Sequence, residues 1–143
     1  MKAPHPAMVR RVAATQATVA RFQDVPFAWG REDCARMVVF HLRALGIPIA
    51  MAKAGSYSSA LGAARAMRRF GVESLSEALD KHGLERIAPA SAAAGDIIAM
   101  PSADSFDALA IALGNGRVLG YHEDAPGGAT VLQPVLFITA WRV

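Results

Sequence analysis

The chain has 143 residues, 53% of them hydrophobic, a length that fits one domain over residues 1–143 with its own buried core. No apolar run approaches the roughly 18 residues that cross a bilayer, which argues against a membrane span. The single cysteine, Cys34, excludes an internal disulfide and a Cys-only zinc site. Because the four histidines include no i, i+4 pair, we expect neither a metal nor a cofactor.

The net charge of +3 is unevenly distributed, with +8 over residues 1–69 and −5 over residues 70–143. The basic side chains are not interleaved with aromatic residues and form no nucleic-acid module, so we expect a solvated or protein-docking face rather than nucleic-acid binding. The first residues contain prolines and a histidine where a secretory signal needs an apolar stretch. We therefore expect synthesis in a cytoplasm.

Helical spacing of apolar residues predicts four helices in the first part of the chain. The first covers residues 7–23, and its core-facing residues are predicted to be Met8, Val12, Ala13, Val19 and Phe22. The second opens at Cys34, with Asp33 as its N-cap, and stops near Gly46. The third covers about 58–70, and a short fourth covers about 76–82.

From residue 96 onward, short apolar runs separated by turn residues predict about five strands. Gly-Asn-Gly at 114–116 predicts a tight hairpin between the second and third, because these residues tolerate positive φ angles. Trp141 near the end of the chain is expected to be buried against the first helix. Helices followed by an antiparallel sheet indicate an α+β domain with the helices on one face of the sheet.

The stretch PFAWGREDC, residues 26–34, places the only cysteine in the first turn of a predicted helix. The positive end of a helix dipole lowers a thiol pKa; Arg31 and Arg36 would add to this effect, whereas Asp33 would oppose it. Asp33 is favoured as a helix cap over an acid catalyst. Trp29 and Gly30 fit equally well as walls of a substrate groove and as packing anchors.

PFAWGREDC, then GDIIAM, then LGNG resemble, in the same order, the NlpC-type cell-wall peptidases, whose pattern is W-G-G-x-x-x-D-C, G-D-L-V and H-V-G-I-Y-L-G-N-G. The resemblance covers most of the chain and implies a papain-like NlpC-type fold. In that family the cysteine attacks the amide between D-glutamate and diaminopimelate in peptidoglycan stem peptides. The resemblance therefore implies that Cys34 is the candidate nucleophile and that Trp29, Gly30, Asp33 and Ala108 line the groove.

Two of the three catalytic positions differ from the family pattern. Alignment on LGNG puts the family's catalytic histidine at Ala108 and its third polar residue at Gly120. Alanine accepts no proton, so the residues leave open whether the domain is an enzyme. His122 is the best substitute base, since period two puts it on the same strand face as Gly120. His41 would lie about 10 Å along the helix from Cys34, too far for direct proton transfer.

A closer resemblance is carried by WGREDCARMV, ALAIALGNG and the closing AWRV. These motifs are similar to a small group of NlpC-like proteins of tailed phages and prophages that also carry Ala-Leu-Gly before the hairpin. The resemblance implies a tail-tip or baseplate protein, made in the host cytoplasm and carried in the virion tail, with hub proteins as partners.

Two functions follow from these observations. One is a structural adaptor with a degenerate peptidase fold that docks on hub proteins and retains some affinity for stem peptides. The alternative is an active tail-associated cysteine peptidase that opens the cell wall during genome entry, with His122 or a partner's residue as the base.

Overall fold

A computed structural model of the protein describes residues 6–49, 55–102, 108–122, 127–134 and 136–143. Its α-helices are α1 (Pro6–Phe22), α2 (Cys34–Ala44), α3 (Ala60–Phe70) and α4 (Leu75–His82). Its strands are β1 (Glu85–Ile87), β2 (Ile97–Met100), β3 (Ala108–Gly114), β4 (Arg117–Gly120), β5 (Thr130–Leu132) and β6 (Thr139–Arg142). No helix in these ranges is both long and apolar enough to cross a bilayer.

The strands form one antiparallel sheet in the order β1-β6-β2-β3-β4-β5. The α+β class and the antiparallel sheet are confirmed, but the described residues contain six strands rather than five. The additional strand, β1, lies at the sheet edge and pairs with β6 alone. It has only three residues and no alternating apolar pattern, so the sequence gives no signal for it. The last strand, β6, lies between β1 and β2, so the C-terminal segment is an interior strand of the sheet.

Local signals place most helix ends correctly. Asp33 is the N-cap of α2, as predicted. α3 and α4 begin within two residues of the predicted positions, and their N-caps are Ser59 and Ser74, each of which accepts a backbone N–H from the first turn. Gly83 ends α4 in the left-handed conformation that favours glycine. The predicted hairpin also forms, with positive φ at all three residues from 114 to 116.

The prediction for the core-facing side of α1 is confirmed at Phe22 and wrong at Met8, Val12 and Ala13. The buried residues are Ala14, Thr15, Thr18 and Phe22, and Arg11 lies on the same stripe, half-buried. Met8, Val12 and Ala13 are exposed, and Val19 is half-buried. The helix turns a partly polar stripe inward because its polar side chains find partners in distant segments.

Two of those partners are His41 and Asp96. Thr18 is hydrogen-bonded through its hydroxyl to Nδ1 of His41 (2.8 Å), and Nε2 of His41 donates to the carbonyl of Gly95 (2.8 Å). Arg11 donates to Asp96 (2.7 Å), which also forms an ion pair with Arg142 (3.2 Å). These bonds join α1, α2, the start of β2 and the end of β6.

Two apolar clusters lie on opposite faces of the sheet. The first contains helix side chains such as Met37, Leu42 and Leu79 together with Leu109 and Trp141 of the sheet. The second is formed by the alternate strand residues, among them Met100, Ala110 and Val118. The helices therefore pack on one face, as predicted. Trp141 is buried as predicted, but its indole N–H donates to Asp80 of α4 (2.9 Å) and not to the first helix.

Candidate functional site around the Cys34 thiol

The candidate site is built on the loop that leads into α2. Asp33 is 2% exposed, and its carboxylate accepts three hydrogen bonds from neutral donors. The donors are the Arg36 amide (2.8 Å), the Gly30 amide (2.8 Å) and the Tyr57 hydroxyl (2.6 Å). The first of these bonds is the predicted helix cap. The second holds the loop that precedes Cys34, and the third connects this loop to the segment around Tyr57. Asp33 is thus an organising residue of the site, in agreement with the cap interpretation.

Gly30 is required by the close approach of two backbone segments. Its φ is +80°, and a Cβ at this position would overlap the carbonyl oxygen of Tyr57. The neighbouring turn is closed by reciprocal backbone hydrogen bonds between Ala28 and Glu32 (3.0 and 2.9 Å). Gly30 therefore holds the loop against the Tyr57 segment, which gives the glycine a packing role.

Cys34 is the first residue of α2, where the sequence predicted it. Its side chain is half-buried. Burial, together with a smaller effect of the Asp33 carboxylate, raises the pKa of its thiol from an ordinary 9.0 to about 11. The amides of Leu109, Ala35 and Cys34 itself act in the opposite direction, but burial dominates. Because the thiolate is the nucleophilic form, on the order of one thiol in ten thousand would be reactive at pH 7.

The sulfur lies beside the first residues of β3. The hydrogen bond from the Leu109 backbone brings the sulfur to the residue that follows Ala108. Ala108 itself packs its methyl group against the second cluster, on the opposite face from the helices. The strand start and the thiol are therefore adjacent, and the side chain at position 108 offers no proton acceptor.

Tyr121, the residue that follows β4, lies near the thiol. Burial, then the charges of Asp33, Glu32 and Cys34, raise the pKa of the Tyr121 phenol. The hydroxyl is buried and has no hydrogen-bond partner among the described residues. Tyr121 packs against the first cluster, the one that also contacts Cys34.

Gly120 faces the other way. A Cβ on Gly120 would contact Ala110 (3.2 Å) and Met100 (3.3 Å), both members of the second cluster. Alternation along the chain places His122 on this same face, and its side chain is exposed. The structure thus brings Tyr121 to the thiol, and the role of His122 as a base stays a prediction.

Tyr121 belongs to a group of three aromatic rings. The Phe27 ring stands edge-to-face against Trp29 (centroids 4.9 Å apart) and against Tyr121 (5.4 Å). Phe27 is 42% exposed, and Trp29 is half-buried. Trp29 therefore belongs both to a packed aromatic group and to an accessible surface, so the two interpretations of this residue are compatible.

The other histidines lie elsewhere in the structure. His41 is fully buried on α2 and is bonded to Thr18 and Gly95, and burial lowers the pKa of its imidazole. His82 is exposed at the end of α4. Within the described ranges, no group of three or more His, Cys, Asp or Glu side chains is arranged to hold a metal ion.

Sequence reasoning missed three contributors to the site, namely Tyr57, Tyr121 and the Leu109 backbone. Tyr57 lies in a loop with no motif, and a partner 24 residues from Asp33 leaves no local signal. Tyr121 was detectable, because alternation puts it on the face opposite Gly120, where the helices pack. Asp96, which the sequence analysis places only in GDIIAM at the start of the strand region, is fully buried and forms ion pairs with two arginines.

Comparison with known proteins leaves the chemistry of this site unassigned. No curated protein and no solved structure matches the chain. One family model does match, over residues 9–143, and its description is "Domain of unknown function (DUF6950)". Since the match covers almost the whole chain, the protein belongs to the DUF6950 family.

Proposed function

We propose that this protein is a structural component of a phage or prophage tail tip or baseplate, in which a degenerate NlpC-type domain acts as an adaptor. The phage assignment rests on the sequence motifs WGREDCARMV, ALAIALGNG and AWRV. The α+β arrangement, with Cys34 at the start of a helix that packs on an antiparallel sheet, is compatible with an NlpC-type fold.

The observation that carries the non-catalytic role is the state of the Cys34 thiol. Its pKa of about 11 keeps it protonated at neutral pH, and the strongest influences on that pKa do not include an imidazole. Ala108 stands where the family places its base. A cysteine peptidase needs a base or a lowered pKa to generate its nucleophile, whereas the pKa of this thiol is raised and Ala108 supplies no base.

The decisive experiment uses purified protein and Cys34→Ser with intact peptidoglycan and with soluble stem peptides. Fragments are sought by mass spectrometry over several pH values. We expect no fragment that depends on Cys34, and we expect Cys34→Ser to fold normally because serine is a near-isosteric replacement. Cleavage by the unmodified protein and not by Cys34→Ser would overturn the non-catalytic role.

A second function, an active cysteine peptidase, is favoured by one observation. Three amides, from Leu109, Ala35 and Cys34, lower the pKa of the thiol, as expected of an environment that once stabilised a thiolate. If cleavage is found, His122→Ala identifies the base, with His82→Ala as a matched control because His82 is equally exposed and lies on α4. Loss of cleavage in the first variant alone would assign the base to His122.

A further inference from the structure

The outer face of α1 is apolar although it lies at the surface. We define this face by Met8, Val9, Val12, Ala13, Ala17 and Ala20, all exposed; the first three are 53%, 51% and 44% exposed. Residues three and four apart are neighbours on a helix, so these side chains form a continuous surface. Gln16 is the polar residue within it. Single exposed apolar residues are ordinary, whereas a continuous apolar face marks an interaction surface.

This face cannot be turned into the core of the domain. The opposite stripe of α1 is held inward by Arg11, which donates to Asp96, and by Thr18, which is bonded to His41. Rotation of the helix to bury Met8 and Val12 would break both connections and leave Asp96, which is fully buried, without one of its arginines. The apolar surface is therefore outward because the fold requires it.

The charges beside this face are of one sign. α1 contains three arginines and no acidic residue. Arg11 forms an ion pair with the buried Asp96. Arg10 is exposed, and Arg21 has 43% of its side chain exposed although it is paired with Glu32. Glu32 is the carboxylate beside them, and it is already paired with Arg21. Two copies of α1 packed together would bring two Arg10 side chains to a common boundary to which neither helix contributes an acidic residue. A partner with carboxylates beside its apolar surface would instead be attracted.

The size of the side chains favours a helix over a lipid surface. Interfacial membrane helices use Trp, Phe or Leu on the apolar face, and the outer face of α1 has none of these. It has alanine at positions 13, 17 and 20, and small side chains allow a second helix to approach to the short end of the usual 8–10 Å range.

We propose that the outer face of α1 docks an amphipathic helix of another protein whose apolar stripe is flanked by Asp or Glu. The inference rests on the proposed adaptor function, since it names the surface through which an adaptor would bind its partner. The two proposals fail separately, because helix binding is measured without peptidoglycan and cleavage is measured without a helical partner.

The test uses two synthetic helical peptides of about five turns with the same Ala/Leu stripe, one flanked by Glu and the other by Lys. Binding to the full chain is measured by fluorescence anisotropy. We expect the Glu-flanked peptide to bind at least tenfold more tightly than the Lys-flanked peptide. Val12→Glu should weaken that binding at least tenfold, and Arg10→Glu should reduce the preference for Glu flanks. Leu61→Glu is the matched control, because Leu61 is 57% exposed on α3, and it should leave binding unchanged.

Three results would overturn the proposal. The first is equal or absent binding of the two peptides, or binding that Val12→Glu does not weaken. The second is dimerisation in sedimentation equilibrium that Val12→Glu abolishes, which would make a second copy the occupant. The third is flotation with phosphatidylglycerol vesicles that depends on Val12, which would make a lipid surface the occupant.

Discussion

Two buried aspartates, Asp33 before α2 and Asp96 before β2, are held by different kinds of partner. Asp33 accepts its hydrogen bonds from two amides and a phenol, all neutral donors close to the thiol. Asp96 is bound by the guanidinium groups of Arg11 and Arg142 and by the amides of Ala93 and Val143. One carboxylate is therefore uncompensated by a contacting cation, and the other is paired with two.

The two aspartates therefore act on different properties: Asp33 acts on the pKa of the thiol, and Asp96 acts on the stability of the fold. The negative charge of Asp33 raises the pKa of the neighbouring thiol, so it works against the chemistry that the helix terminus would favour. Asp96 has no nucleophile beside it and joins segments far apart in the chain, since Arg11 is 85 residues away. We infer that Asp33 orders the loop around the thiol, whereas Asp96 holds distant segments of the domain together.

The largest effect is expected from Asp96→Asn. Loss of the charge leaves Arg11, whose side chain is 15% exposed, without its ionic partner, and breaking a buried pair costs about 3–5 kcal/mol. Urea unfolding should show this decrease. Glu32→Gln is the matched control, because its partner Arg21 is 43% exposed and such a pair contributes at most about 1 kcal/mol. Equal losses of stability in the two variants would show that the buried Asp96 pair contributes no more than a surface ion pair.

Gly30→Ala should destabilise the domain by about 3 kcal/mol, since it adds steric overlap with Tyr57 to the cost of a positive φ. Gly46→Ala is an unusually close control: its φ is +78° against +80° for Gly30, and no atom lies within 4 Å of the added Cβ. It should cost about 1 kcal/mol, measured by the same denaturation. If the two variants are equally stable, the close approach of Gly30 to the Tyr57 backbone is incorrect.

The thiol should make stability depend on pH in the alkaline range. Its pKa is raised from 9.0 to about 11 on folding, so its contribution is complete below pH 9 and is lost as the pH rises toward 11. The unfolding free energy of the protein should fall by about 2 kcal/mol relative to Cys34→Ser over this interval. Tyr57 and Tyr121 titrate in both proteins, and because burial is the main cause of their raised pKa values, most of their effect is common to the two curves. Parallel pH curves for the two proteins would contradict the buried, protonated thiol.

The smallest change in stability is expected for Asp33→Asn, about 1 kcal/mol, because asparagine is still a good helix cap but loses part of the hydrogen bonding. Its more informative effect is on reactivity. Removal of the negative charge should lower the pKa of Cys34, so the pH profile of alkylation by iodoacetamide should move to lower pH. A profile that stays in place, or moves upward, would show that Asp33 does not control the thiol.

The helix ends and the central hairpin could be predicted because their signals are local. A cap such as Ser59 or Ser74 bonds an amide three residues away, and a hairpin turn needs only glycine and asparagine in sequence. The position of Cys34 at the start of α2, beside its cap Asp33, follows from the same kind of signal. The side chains that surround the thiol follow from none of these signals.

By itself, the sequence determined the Asp33 cap, the approximate helix ranges, the hairpin, five of the strands, the α+β class and the placement of the cysteine. Only the tertiary structure decided which face of α1 is buried, where β1 and β6 lie in the sheet, and that Tyr57 and Tyr121 are close to the sulfur. The physical reason is distance along the chain. Burying a polar group such as Arg11 or Thr18 is favourable only when a partner from another segment satisfies it, and hydrophobic periodicity does not record that partner.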